Sequence, residues 1–241
     1  MTGKYLKRKI TNAKKWFIQR PYYIRRFWNR KLIGKRNFTI ISNNCWAGKT
    51  YQYLDMPYLS PTVGLYFFAE DYLRFVSNLR YYLSLDLRFI SAEESRYADV
   101  LRGRNQLHVP IGIIDDVEIV FLHYATAEEA EQKWNRRKKR VNYNDVFLKF
   151  SNMNLCTSDC MKQFDRLPFE NKFMLNKNKQ VEYNCEIYWS GESNDKEVLN
   201  DTNQYPGNLK LWSLLNRTAE SYPKEGLGKE NGISKRTKMG H

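Results

Sequence analysis

Acidic residues are missing from the first 54 positions of this 241-residue chain, where the first carboxylate is Asp55. Histidine is scarce, with three residues (His108, His123 and His241), and cysteine is nearly so, with Cys45, Cys156, Cys160 and Cys185. So few, scattered thiols exclude a disulfide framework and suit a reducing, cytoplasmic setting. No apolar run approaches the roughly 18–20 residues that span a bilayer. No apolar stretch follows the charged N-terminus, so a secretory signal is not expected. Internal repeats are absent, which excludes a solenoid. No Asp-x-Asp occurs, so the signature of a metal-dependent sugar transferase is lacking and no metal site is expected.

What is abundant is positive charge and aromatic surface. The net charge is +14, with seventeen Tyr, thirteen Phe and six Trp. Residues 1–36 hold thirteen Lys or Arg and no acid, interleaved with Tyr5, Trp16, Phe17, Tyr22, Tyr23, Phe27 and Trp28. Such an arm can pack on the body as a solubilising leader, or grip nucleic acid through phosphates and stacked rings. A membrane surface accounts for both features. Rings favour the headgroup level, and each Lys or Arg near an anionic leaflet contributes about 1 kcal/mol. The expectation is an anionic membrane surface bound through residues 4–36, with nucleic acid disfavoured and the protein peripheral at the inner face of the membrane.

From Asn37 the pattern alternates strand with helix. Strands are expected at Phe38–Ile41, Thr62–Tyr66, Leu87–Ile90, Ile111–Ile114, Val117–His123, Val146–Phe150, Lys172–Leu175 and Val181–Trp189. Helices are expected over Asn44–Leu54 and Glu70–Leu83, and from the capping-box spacing Thr126–Glu129 to Arg140. Two more are expected, from Thr157 or Ser158 to Leu167 and over Leu209–Asn216. The fold class is α/β: a Rossmann-like, largely parallel sheet flanked by helices, behind a basic N-terminal arm. The domain reading is an arm at 1–36, an α/β domain at 37–218 with a candidate subdomain break near 141–150, and a disordered tail at 219–241.

"FTIISNNCWAGKT" (38–50) is the point of chemical interest. Ligands of open parallel sheets bind beyond the carboxyl ends of the strands. Ser42, Asn43, Asn44 and Cys45 stand at such an end. The asparagine amides suit a polyhydroxyl ligand, and helix N–H groups starting near Cys45 would attract an anion and lower the thiol pKa. A polar strand-to-helix turn with Cys45 and Trp46 as core is the bland alternative. Gly48-Lys49-Thr50 has the spacing of a P-loop tail, but Asn43 replaces its first glycine, Trp46 is bulky and the prolines at 57 and 61 shorten the helix. His123 closes an apolar strand, where an imidazole is a candidate general base for a sugar hydroxyl. Asp115, Asp116 and Glu118 make only a weak case for a divalent cation. Arg136 and Arg137, in a basic helix end, are candidates for holding phosphate.

The blocks "FTIISNNCWAG", "PYLSPTVGLYFFAEDY", "PIGIIDDVEIVFLHYATAEEAEQKWNRRKKRVN", "VFLKFSNMNLCT" and "FDRLPFENK" together resemble the bacterial domain-of-unknown-function family numbered nineteen-nineteen. The resemblance runs in order from about Asn37 to Asn216. It implies an α/β, partly Rossmann-like fold and a setting in exopolysaccharide biosynthesis, without a reaction. The family's signature falls on Ser42, Asn43, Asn44, Cys45, Trp46, Ser60, Pro61, His123, Tyr124, Trp134, Arg136 and Arg137.

The resulting expectation is a glycosyl or acyl transferase of surface-polysaccharide biosynthesis, with a sugar nucleotide or lipid-linked glycan as partner. His123, Cys45 and Ser42 are its candidate catalytic residues. Asn43, Asn44, Trp46, Ser60, Tyr124, Trp134, Arg136 and Arg137 are its candidate ligand contacts, and no cofactor is named. A non-catalytic glycan- or partner-binding protein of the same machinery is the alternative.

Overall fold

The structure, a computed structural model, describes residues 23–34, 37–177, 183–188, 197–199, 201–202 and 215–216. Its centre is a parallel sheet in the order β1 (Thr39–Ser42), β5 (Val146–Ser151), β6 (Lys172–Asn176) and β7 (Glu186–Tyr188). The residues of β1 and β5 are all buried, as befits strands covered on both faces. Period-two alternation divides them between two cores. Ile41, Leu148, Phe150 and Met174 face α3 (Ala69–Ser77), α4 (Leu79–Ser84), α6 (Ala127–Lys138) and α7 (Ser158–Arg166). Phe38, Ile40, Phe147 and Phe173 face Trp46, Ala47, Tyr51 and Leu54 of α2 (Trp46–Leu54). The first of these cores joins buried residues from Ile41 to Met174, on both sides of segment 141–150.

The expected parallel sheet is accompanied by a second, antiparallel one: β2 (Arg88–Ile90), β3 (Ile111–Ile114) and β4 (Val117–Val120). Asp115 and Asp116 form a two-residue hairpin, with Asp115 at φ 53°, so β3 and β4 must be antiparallel neighbours. A short helix, α5 (Ala98–Gly103), precedes β3. Two expectations are corrected here. The strand at 62–66 is reduced to one bridge between Tyr66 and Val120, because Gly64 turns at φ +77°. The helix over 70–83 is broken at Asn78, whose backbone (φ −139°, ψ 54°) is not helical. The expected N-cap at Thr126 forms: its hydroxyl accepts from the Glu129 N–H, and the Glu129 side chain reaches back to the N–H of Ala125, one residue before the cap.

Of the basic arm, residues 23–32 form a helix, α1. Arg26 donates from Nε to the Tyr53 carbonyl (2.7 Å), Arg30 pairs with Asp55 (3.1 Å) and Ile33 is buried, so this face docks on the C-terminal end of α2. Cations are favourable there. Residues 1–22, positions 209–214 of the helix expected over Leu209–Asn216, the tail at 219–241 and most of 190–208 lie outside the described residues.

Candidate functional site

The turn between β1 and α2 spends its polar side chains on the fold. The Asn43 amide donates to the Ser151 carbonyl (3.0 Å) and accepts from the Ser151 N–H (3.1 Å), extending the β1–β5 ladder past its last residue. Ser42 Oγ accepts from the Ala47 N–H (3.1 Å), and Asn44 Oδ1 from the Trp46 N–H (3.2 Å). Two N–H groups at the start of α2 are thereby satisfied internally and are not offered to an anion. Asn44 is also a hub: it donates to Asp201 (2.8 Å) and accepts from the Lys149 ammonium (3.0 Å).

Lys149 and Asp201 form a buried ion pair, 0 % and 1 % exposed at their side chains, with Ser151 Oγ donating to the same carboxylate (2.6 Å). Burial alone would raise the Asp201 carboxyl, but Lys149, Ser151 and Asn44 together hold it below the ordinary carboxylate value. The carboxyl edge of the sheet, where a ligand was expected, is thus filled by the chain's own residues 197–199 and 201–202, with Val198 N–H donating to Asn152 O (2.8 Å).

Cys45 is the residue of this turn that reaches an opening. Its thiol donates to the Leu65 carbonyl (3.6 Å), and the His123 N–H donates to the Gly64 carbonyl (2.9 Å). The segment 63–67 therefore stitches the end of β1 to the end of β4, its far side held by Phe67 N–H on Asn43 O (3.0 Å). The result is a depression of about 340 Å³ lined by Cys45, Lys49, His123, Tyr124, Lys133 and Arg137, among others. That size falls within the range of small-molecule pockets. Tight packing shapes its floor: a Cβ on Gly48 would come 2.9 Å from Val63 Cγ1, and one on Gly64 3.1 Å from the Tyr124 ring.

The structure brings together Cys45, His123, Tyr124 and Arg137 of the expected site. It sets the others elsewhere, for reasons of packing and hydrogen bonding. Ser42 and Asn43 are fully buried in the network above, and Asn44 is 6 % exposed within it. Ser60 is buried against Thr62 Oγ1 (2.9 Å). Trp46 and Trp134 are core, packed on Phe173 (5.4 Å between ring centroids) and on Phe75 (6.1 Å). Arg136, about 100° round α6 from Arg137, is exposed and does not line the depression.

The expected activation of Cys45 is also overturned. Burial, with the Asp201 carboxylate adding to it, pushes the thiol up to about 11 against the smaller pull of Lys49 and Lys149, so it is neutral near pH 7. Gly48, Lys49 and Thr50 lie inside α2, not in a phosphate loop. The acids at 115–118 serve the fold: Asp115 and Asp116 accept from the Tyr81 and Tyr82 hydroxyls, and Glu118 from Ser95 Oγ.

Three participants were missed by sequence reasoning. Lys133 sits one helical turn before Arg137 on α6, a spacing that puts both on one face. Lys149 had a visible signal, a lone charge inside the apolar strand "VFLKFS". Asp201 had none, because it lies in a polar stretch with no periodicity.

A family model described as "Domain of unknown function (DUF1919)" matches residues 16–212. The chain belongs to this family. It is also similar to an uncharacterized protein of Haemophilus influenzae (strain ATCC 51907 / DSM 11121 / KW20 / Rd), at 30 % identity over 177 residues, 73 % of this chain and 79 % of that protein. The expected family membership is thereby shown. Among the described residues no helix is long and apolar enough to cross a membrane.

Proposed function

We propose that the protein is a transferase of bacterial surface-polysaccharide biosynthesis that modifies or extends a lipid-linked or nucleotide-linked sugar at the membrane surface. The observation that carries this reading is the exposed His123 on the rim of a depression lined by tyrosines and cations. Tyrosine faces suit a sugar ring, and cations suit the phosphate that leaves it. In the reaction, an acceptor hydroxyl loses its proton to the His123 imidazole as its oxygen bonds to the anomeric carbon, and the carbon–oxygen bond to phosphate breaks. Ser42 is fully buried and the Cys45 thiol is neutral, so glycosyl transfer without an enzyme nucleophile is favoured over acyl transfer. A His123→Ala strain is expected to lose polysaccharide product about 100-fold or more, the usual cost of a general base. Unchanged glycan by mass spectrometry would reject this mechanism.

The membrane part of the proposal draws on α1. Tyr23, Ile24, Phe27, Trp28 and Leu32 are 44–56 % exposed along one side of this helix, while Arg26 and Arg30 hold the other side to α2. An aromatic face beside basic residues suits an interface of anionic lipid. Phe27→Asp with Trp28→Asp is expected to weaken sedimentation with phosphatidylglycerol vesicles about tenfold or more, given what burying each ring is worth. Vesicle binding equal to wild type would remove α1 from the membrane contact.

A second reading, glycan binding without turnover, is favoured by the lack, among the described residues, of any carboxylate or activated thiol on the lining. Under it, His123→Ala keeps function. Gly64→Val, which would strain the φ +77° turn against Tyr124, abolishes it.

A further inference from the structure

We infer that the inner wall of the depression is a phosphate subsite built around the Arg137 guanidinium. The identity of the molecule that carries the phosphate rests on the transferase reading; the subsite itself does not. Arg137 is 6 % exposed, yet no carboxylate among the described residues lies within 4.0 Å of it. Its Nη1 donates to Tyr124 Oη (2.6 Å) and to the Val63 carbonyl (3.3 Å), both uncharged acceptors. Its Nε is buried without a hydrogen-bond partner. The guanidinium carbon lies 4.8 Å from the centre of the Tyr58 ring, which covers one face.

A buried cation without a counter-charge is costly, and an orphaned N–H adds to that cost. The protein keeps this charge beside an open depression, where an anion from outside can offset it. The remaining charges agree in sign. Lys49 and Lys133 share the lining, and among the described residues no Asp or Glu does; Glu129 pairs with Lys133 from outside it, and Asp201 acts on Cys45 from within the β1–α2 network. A lining with three cations and one of them, Arg137, out of reach of any described carboxylate suits an anion, and the forked, planar donor set of arginine fits phosphate oxygens. Tyr58 and Tyr124 then offer rings to the sugar or other group esterified to that phosphate. Helix position explains the choice of Arg137 over its neighbour: Lys133 and Arg137 are one turn apart, while Arg136 is turned to solvent.

The test uses the full chain, titrated calorimetrically with inorganic phosphate, pyrophosphate, glucose 1-phosphate and, as a neutral control, glucose. Anions are expected to bind and glucose not, with affinity falling as salt rises. Arg137→Gln is expected to weaken binding about 10- to 100-fold, the value of one lost hydrogen bond to a charged group. Because Arg137 is buried, Lys49→Ala at an exposed position is the companion variant, with a loss of roughly threefold expected for a screened surface charge. Vesicles of phosphatidylcholine with and without a polyprenyl phosphate decide whether a soluble or a lipid-borne phosphate is preferred. The inference is overturned if no anion binds, or if Arg137→Gln, still folded, binds as wild type does. Anion binding that depends on Arg137 in a protein whose His123→Ala strain makes normal glycan would reject the transferase and leave the subsite. Altered glycan with undiminished anion binding in Arg137→Gln would reject the subsite alone.

Discussion

Asp201→Ala is expected to destabilise the protein by about 3–5 kcal/mol, because it leaves the Lys149 ammonium buried without its partner. In thermal unfolding that corresponds to a drop of roughly 10 °C for a chain of this size. The loss goes beyond one ion pair. Asp201 also takes hydrogen bonds from Ser151 and Asn44, and Asn44 in turn satisfies the start of α2, so the whole β1–α2 turn loosens. Replacing Lys149 with methionine in the same variant is expected to recover much of the loss, since an apolar pair needs no counter-charge. The pH dependence has a definite sign. The Asp201 carboxyl is held below its ordinary value in the folded state, so its contribution is present above about pH 4 and is lost as pH falls through the folded value. Wild-type stability should decline in acid, and that decline should be shallower in Asp201→Ala. A change below about 1 kcal/mol would mean the pair is screened like a surface bridge.

Trp134→Ala carries a comparable expected loss, about 3–5 kcal/mol, from the removed apolar surface and the cavity left behind. The indole is 1 % exposed between the Phe75 and Phe121 rings, each at 6.1 Å, and it anchors α6 over the first core. Lys133 and Arg137 ride on that helix, so the cavity would also blunt the anion subsite. Denaturant midpoints read the first effect and calorimetry with pyrophosphate the second. If Trp134 instead contacted ligand, its removal would weaken binding while leaving the midpoint unchanged. That result would overturn its assignment to the core.

Much of the element list was legible in the sequence. The run Phe38–Ile41 and the apolar run of β5, broken only by Lys149, announce strands buried on both faces, and Thr126 with Glu129 announces the start of α6. The element breaks were less visible. Asn78 interrupts an amphipathic pattern that continues on either side of it. Tyr66 reads as strand but finds a single bridge, because the preceding Gly64 turns the chain.

The site itself divides along the same line. Composition alone set the charge and aromatic content of the arm, and periodicity set which strands have two covered faces, since both depend only on neighbours along the chain. Tertiary structure decided that Asn43 and Asn44 turn inward. Their partners Ser151, Lys149 and Asp201 lie 105 to 157 residues away, and a polar side chain is satisfied by whatever group the fold delivers. It decided likewise that Cys45 and His123 share one depression, through the carbonyls of Leu65 and Gly64 between them. Arg137 and Arg136 are adjacent in a basic run, and only the rotation of α6 about its axis separates a buried guanidinium from a solvated one.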